Sequence, residues 1–248
     1  MQVSQHDFRL FLALLCALTL TEWVKTRIGQ YWLKTTMLIT VSSDTLSLTP
    51  GSEVILRNQT WEDYEHLLAL RQDKNLPKLY FNAQNQEIRL MSPLASHGNR
   101  IDALRDLVKW LLRLQSKDWE CFDPITFKRF KEAGVEPDTC FYVENRQAIL
   151  GKNRIDLTLD PPPDLAIEVD LTSVTSLEAY RPLAMPELWI YRPGTLSIYL
   201  FVDGDYQESS HSVLLNAWDV RSILPKYVEL AWYQGSSVAL RQFEQDIN

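Results

Sequence analysis

Glycine is scarce in this chain: eight residues against twelve prolines. Turns of defined shape are therefore expected rather than flexible linkers. Cysteine is scarcer still. Cys16, Cys121 and Cys140 form no CxxC pair and no Cys/His metal spacing. That excludes a disulfide framework and points to buried thiols in a reducing compartment, the cytoplasm. The four histidines, His6, His66, His97 and His211, never stand at HExxH spacing, so a structural zinc site is not expected. Positive charge is also short, with a formal net charge of −7. A protein that coats nucleic acid through bulk charge is excluded, whereas an enzyme with a local basic groove is not. A spanning helix needs about 20 apolar residues, and the run Leu10 to Leu20 has eleven. It has the length of a signal-peptide core, but a single basic residue, Arg9, precedes it and no small-x-small site follows. Residues 1–50 read as an N-terminal extension. Met37 and the polar lead Ser42 to Thr49 look like a natural start, and a signal or membrane-associating helix is the alternative.

What is present is globular material, 46% hydrophobic and 23% charged. Residues 51–248 suit one large domain. Thr60 caps a helix that starts at Trp61, with Asp63 completing a box-like pair. Leu79-Tyr80-Phe81 and Glu87 to Met91 flank a polar turn and read as a hairpin. Ile101, Leu104, Leu107, Val108, Leu111 and Leu112 repeat at helical spacing, and His97 stands just before them. Strands follow at Trp119 to Phe122, Asp138 to Val143, Leu165 to Val169, Glu187 to Tyr191 and Leu196 to Val202. The last runs into the hairpin turn Asp203-Gly204. Thr172 and Ser173 can cap a short helix through Tyr180 to Ala184, and Tyr227 to Trp232 and Val238 to Phe243 are amphipathic pieces expected on the outside. The mixed order predicts an α/β fold with one mixed sheet flanked by helices.

Two phrases carry chemistry. In Pro161-Pro162-Pro163-Asp164-Leu165-Ala166-Ile167-Glu168-Val169-Asp170 a carboxylate, Glu168, interrupts a buried apolar strand. Burying it is costly unless it is paired or holds a cation. Thirty residues upstream, Glu136-Pro137-Asp138 opens a second apolar strand. Two carboxylates on neighbouring strands are an arrangement that suits a divalent metal. Pro-Asp is also a common turn dipeptide, and Asp164 reads as a turn residue. The cluster Lys128, Arg129 and Lys131 reads as a solvated face, with steering of a phosphate backbone as the alternative.

Those phrases, with Gly134-Val135, Tyr180, Met185-Pro186-Glu187-Leu188-Trp189, Trp61 and Met91-Ser92-Pro93 with His97, resemble the Uma-two family of cyanobacterial restriction-endonuclease-like proteins. That family lies in the PD-(D/E)xK nuclease superfamily. The resemblance covers roughly residues 55 to 245 and implies a restriction-endonuclease-like core. It also implies hydrolysis of DNA phosphodiester bonds with Mg²⁺ or Mn²⁺, no small-molecule cofactor, and a dimer where both strands are cut. Asp138 and Glu168 would hold the metal, with the backbone carbonyl of Val169 as a further oxygen. Asp170 would steady the site or cap the following helix. His97 would cap its helix or hold a phosphate, and Glu87 would stand near a front-half acidic position now filled by Arg89. The family's lysine is not where the resemblance expects it. Asp170 and Ser176 occupy its two usual places, and Arg181 lies beyond Tyr180. A nuclease fold that only binds nucleic acid or protein is therefore the rival reading.

Overall fold

The computed structural model describes residues 48–71 and 77–247, together with the backbone of four short strands before them. The chain forms two compact units, Met1–Ser47 and Leu48–Asn248. In the first, β1 (Leu18–Leu20) pairs antiparallel with β4 (Met37–Ile39), and β2 (Arg27–Ile28) with β3 (Tyr31–Trp32). The stretch Leu10 to Leu20, for which a signal or membrane-associating helix was the alternative reading, lies outside the described residues except for those last three, and so does most of the lead Ser42 to Thr49.

The second unit holds two sheets, not the one mixed sheet the element order suggested. The larger, in the order β15-β14-β13-β12-β11-β8, has six strands. They are β8 (Glu120–Phe122), β11 (Thr139–Tyr142), β12 (Leu165–Val169), β13 (Glu187–Arg192), β14 (Thr195–Val202) and β15 (Asp205–Ser209). Only β12 and β13 run parallel. The smaller sheet is antiparallel throughout, in the order β5-β7-β6-β10-β9. It consists of β5 (Glu53–Arg57), β6 (Lys78–Asn82), β7 (Glu87–Met91), β9 (Phe127–Arg129) and β10 (Ala133–Val135). Three of these were invisible in the sequence because they are short or only half apolar.

Among the described residues five α-helices complete the unit: α1 (Trp61–Arg71), α2 (Ala95–Leu114), α3 (Leu177–Tyr180), α4 (Val220–Gln234) and α5 (Ser236–Ile247). The cap of α1 is the expected box. Asp63 N–H donates to Thr60 Oγ1 at 3.2 Å, and Thr60 N–H to Asp63 Oδ2 at 2.8 Å. Helices α2, α4 and α5 cover one face of the larger sheet, where Leu104, Leu107 and Leu111 meet Phe141, Leu165, Ile167, Trp189 and Ile198. Tyr227, Val228 and Phe243 belong to this same buried cluster. The two late amphipathic pieces are thus core helices, since their apolar stripes pack into the cluster that covers β13 and β14 on that side.

Strand alternation decides what faces the site. Along β12, Leu165, Ile167 and Val169 enter the helix-covered core, while Ala166 joins the opposite cluster. Glu168 therefore points to that second face. Along β6, Leu79 and Phe81 pack with Trp61 and Tyr64 of α1, which leaves Lys78 and Tyr80 on the other face. The two sheets meet at β10. A Cβ on Gly134 would sit 2.2 Å from the Tyr64 hydroxyl, so only glycine lets α1 approach this strand.

Candidate functional site

The site grows from the link between β10 and β11, Glu136-Pro137-Asp138. Glu136 turns one way and Asp138 the other. Glu136 is buried and grips Arg71 of α1, whose Nη1 donates to Oε2 at 2.7 Å. The backbone N–H of Leu79 donates to the same oxygen at 2.9 Å, and Thr126 Oγ1 donates to Oε1. Every oxygen of Glu136 is thereby used inside the fold.

Asp138, two residues on, meets a lysine from the smaller sheet. Lys78 Nζ donates to Asp138 Oδ1, and to the Glu136 carbonyl at 3.2 Å. The side chains of Lys78 and Asp138 are 3% and 1% exposed, so this ion pair is screened from water. His97, in the first turn of α2, places Nε2 3.0 Å from Asp138 Oδ2, off the line of a hydrogen bond. The Val169 N–H donates to the same oxygen at 2.7 Å. Burial alone would push the Asp138 carboxyl up, but Lys78 and His97 outweigh it and hold the group well below the usual carboxylate range. Lys78 keeps its proton by the same balance: burial opposes the charge, and Asp138 and Glu168 restore it.

Glu168 is the second acid. Its Oε2 accepts from the Asp138 N–H at 3.3 Å. Its Oε1 accepts from the Tyr180 hydroxyl, and from the Tyr80 hydroxyl at 3.3 Å. Among the described residues no basic side chain donates a hydrogen bond to it. Burial first, and then the Asp138 charge, raises its carboxyl well above the usual range. The two tyrosines that face it are raised well above theirs too, by burial and then by Glu168.

A cleft of about 240 Å³ reaches Asp138, Lys78, His97 and Arg105 at the start of α2. A smaller space of about 40 Å³ lies on the other side, against Glu168, Tyr80, Tyr180, Glu87 and Asp170. The residues fit a divalent cation in one respect: two buried acids share one lysine, and the second acid has no cation of its own. Among the described residues no three His, Cys, Asp or Glu side chains cluster as ligands. Waters and a phosphate oxygen would have to complete a coordination shell, which is the usual situation for Mg²⁺.

A protein-family model described as "Uma2: Putative restriction endonuclease" matches residues 61–232. The chain belongs to the Uma2 family. The Uma2 match takes in Lys78, His97, Asp138 and Glu168. Among solved structures, one titled "Crystal structure of a putative nuclease belonging to DUF820 from Anabaena variabilis ATCC 29413" is similar at 10% identity and a TM-score of 0.47. The likeness covers 64% of this chain and 96% of that one. No curated protein matches.

The other residues singled out in this Uma2 chain take different places. Asp170 accepts from Thr175 Oγ1 at 2.6 Å and pairs with Arg192 at 2.8 Å, so it shapes the turn after β12. The short helix α3 begins only at Leu177, after Ser176 and not after Thr172 or Ser173. Glu87 lies on β7 beside Arg57 at 3.1 Å and Arg89 at 3.7 Å, in the smaller space with Glu168. Asp164 is a turn residue, accepting from the N–H groups of Val143 at 2.7 Å and Asn145 at 3.0 Å. Arg181 pairs with Asp205 at 3.0 Å. Lys128 and Lys131 pair at the surface with Glu65 and Glu62 at 2.9 and 3.6 Å, and Arg129 donates to the Pro182 carbonyl at 3.2 Å, so this cluster is the solvated face its sequence suggested. Lys78 itself was missed. The available signal was the alternation Lys78-Leu79-Tyr80-Phe81, which sets a lysine and a tyrosine on the face away from the α1 core.

Proposed function

We propose that this Uma2 protein is a divalent-metal-dependent endonuclease that hydrolyses DNA phosphodiester bonds. The observation that carries the reading is the buried pair Asp138 and Glu168, linked through the Asp138 N–H and served by a single lysine. Asp138 and Glu168 would hold Mg²⁺ or Mn²⁺, with the Val169 carbonyl as a further oxygen. Such an ion supplies Lewis-acid polarisation of a phosphate and a lower pKa for an attacking water. The chain's own groups do the rest. The Tyr80 and Tyr180 hydroxyls orient Glu168, and the Val169 N–H orients Asp138. Lys78 brings a positive charge to Asp138, and His97 and Arg105 line the cleft by which a phosphate backbone would approach. Asp170 sets the turn that follows Glu168, and Glu87 stands on the far side of that acid.

A second reading has support from one observation. Both carboxylates already accept hydrogen bonds from protein donors on each oxygen. A nuclease fold that binds nucleic acid or protein without cutting would look like this. The test is incubation of supercoiled plasmid with the purified full chain and Mg²⁺ or Mn²⁺, beside Glu168→Ala. The nuclease reading expects metal-dependent nicking that vanishes in the variant and in EDTA. Absence of nicking with either metal, and of metal binding by calorimetry, would favour the second reading. Cutting of both strands in concert would add support for a DNA-bound dimer. No described helix is long and apolar enough to cross a membrane.

A further inference from the structure

Three features of Lys78 stand together. It is buried with Asp138, it comes from the smaller sheet and not from β12 or α3, and it lines the larger cleft. An ammonium group has three donors. Two of them serve Asp138 Oδ1 and the Glu136 carbonyl. The buried centre therefore holds two acids, Asp138 and Glu168, and a full positive charge on the Lys78 side chain. A divalent ion bound by the two acids would place a double positive charge beside that ammonium. Like charges at such range repel by several kcal/mol in a poorly solvated site, even at an effective dielectric of about 20. Lys78 and the ion cannot both occupy Asp138 at full strength.

Resting on the metal-dependent reading above, we infer that Lys78 has two successive partners. In the metal-free protein it stands where a cation is needed and neutralises Asp138. When a divalent ion takes the carboxylates, the ammonium leaves Asp138 and serves a substrate phosphate in the 240 Å³ cleft, next to His97 and Arg105. The consequence is a split of signs. Removing Lys78 removes a competitor for the ion and, at the same time, removes a charge that the phosphate needs. A lysine whose role is only structural would weaken metal binding and cutting together.

The experiment uses the full chain as wild type, Lys78→Met and Lys78→Arg. Mn²⁺ is titrated by calorimetry, and nicking of supercoiled plasmid is followed in single turnover at saturating Mn²⁺. Lys78→Met is expected to bind Mn²⁺ roughly tenfold more tightly and to nick about 10²-fold more slowly. Lys78→Arg keeps the charge and is expected to retain the wild-type Mn²⁺ affinity. Equal or weaker Mn²⁺ binding by Lys78→Met overturns the inference, as does unchanged nicking. Wild type that nicks while Lys78→Met shows no split defeats the inference alone. Wild type that neither binds Mn²⁺ nor nicks defeats the nuclease reading and the inference with it. Lys78→Met leaves Asp138 without its ammonium, so its melting transition is followed in EDTA and in Mn²⁺. A transition missing in EDTA and restored by Mn²⁺ supports the exchange of partners, and one missing in both overturns it.

Discussion

Glu136 and Asp138 stand two residues apart, on either side of Pro137, and both are buried against a basic side chain. They nevertheless belong to different parts of the molecule's chemistry. Arg71 holds Glu136 with two nitrogens, Thr126 and the Leu79 N–H take its remaining capacity, and it lines neither of the two clefts described above. Asp138 has a point-charge lysine, a histidine off the hydrogen-bond line, and a cleft of about 240 Å³. A third acid, Glu168, touches it and has no cation. Burial with an ion pair is thus a poor mark of a site by itself. What separates the two acids is that Glu136 is held by the fixed fork of Arg71, whereas Asp138 is held by a single ammonium beside a cleft. Arginine suits the first role because its fixed fork matches a carboxylate. Lysine suits the second because its ammonium can move between acceptors.

That contrast can be broken experimentally. The largest effect is expected for Glu136→Ala, which leaves Arg71 buried and unpaired and should cost about 3–5 kcal/mol. Chemical denaturation measures this, and Mn²⁺ should restore none of it. A loss below about 1 kcal/mol, or rescue by the metal, would erase the distinction from Asp138. Tyr180→Phe comes next. It removes one hydroxyl donor from Glu168 and keeps the packed ring, so metal affinity should fall about 10–100-fold. Tyr206→Phe is the control, because that hydroxyl donates to the Met185 carbonyl and not to the acids. Equal effects of the two variants would argue against an orienting role for Tyr180.

The smallest effect, counted per pH unit, is a pH dependence. An unfolded glutamate ionises near about pH 4.3, whereas burial and the Asp138 charge raise Glu168 in the folded protein. The raised group contributes stability that is complete below the unfolded pKa and is lost as pH rises through the folded one. In EDTA, wild type should therefore lose stability relative to Glu168→Gln as pH rises above about 4.3, by at most about 1.4 kcal/mol per pH unit. Melting curves from pH 5 to 8 read this directly. A difference that stays flat, or that grows in the opposite direction, would place Glu168 in an ordinary environment.

The acids were legible because each is a polar interruption or opening of an apolar strand, and both strands are central in the larger sheet. The hairpin of β6 and β7, the long helix α2 and the Asp203-Gly204 turn were legible from period and turn chemistry. Lys78 was not, because its partner is 60 residues away and a search around Glu168 runs in the wrong direction. The smaller sheet was hidden for a related reason. Strands of three residues such as β9 and β10 carry no detectable period. The burial of α4 and α5 was misjudged because amphipathicity tells that a face is covered but not how much the covered sheet depends on it.

Because Lys78 arrives on a separate strand, the recognisable signature and the charge that completes it are inherited on different pieces of chain. A copy of the gene shortened past β6 would keep every residue from Glu136 to Asp170 and still match by motif. It would encode the two acids without the lysine that pairs with Asp138. If the proposed activity were lost through a substitution at position 78, the acidic motif itself would still read as intact.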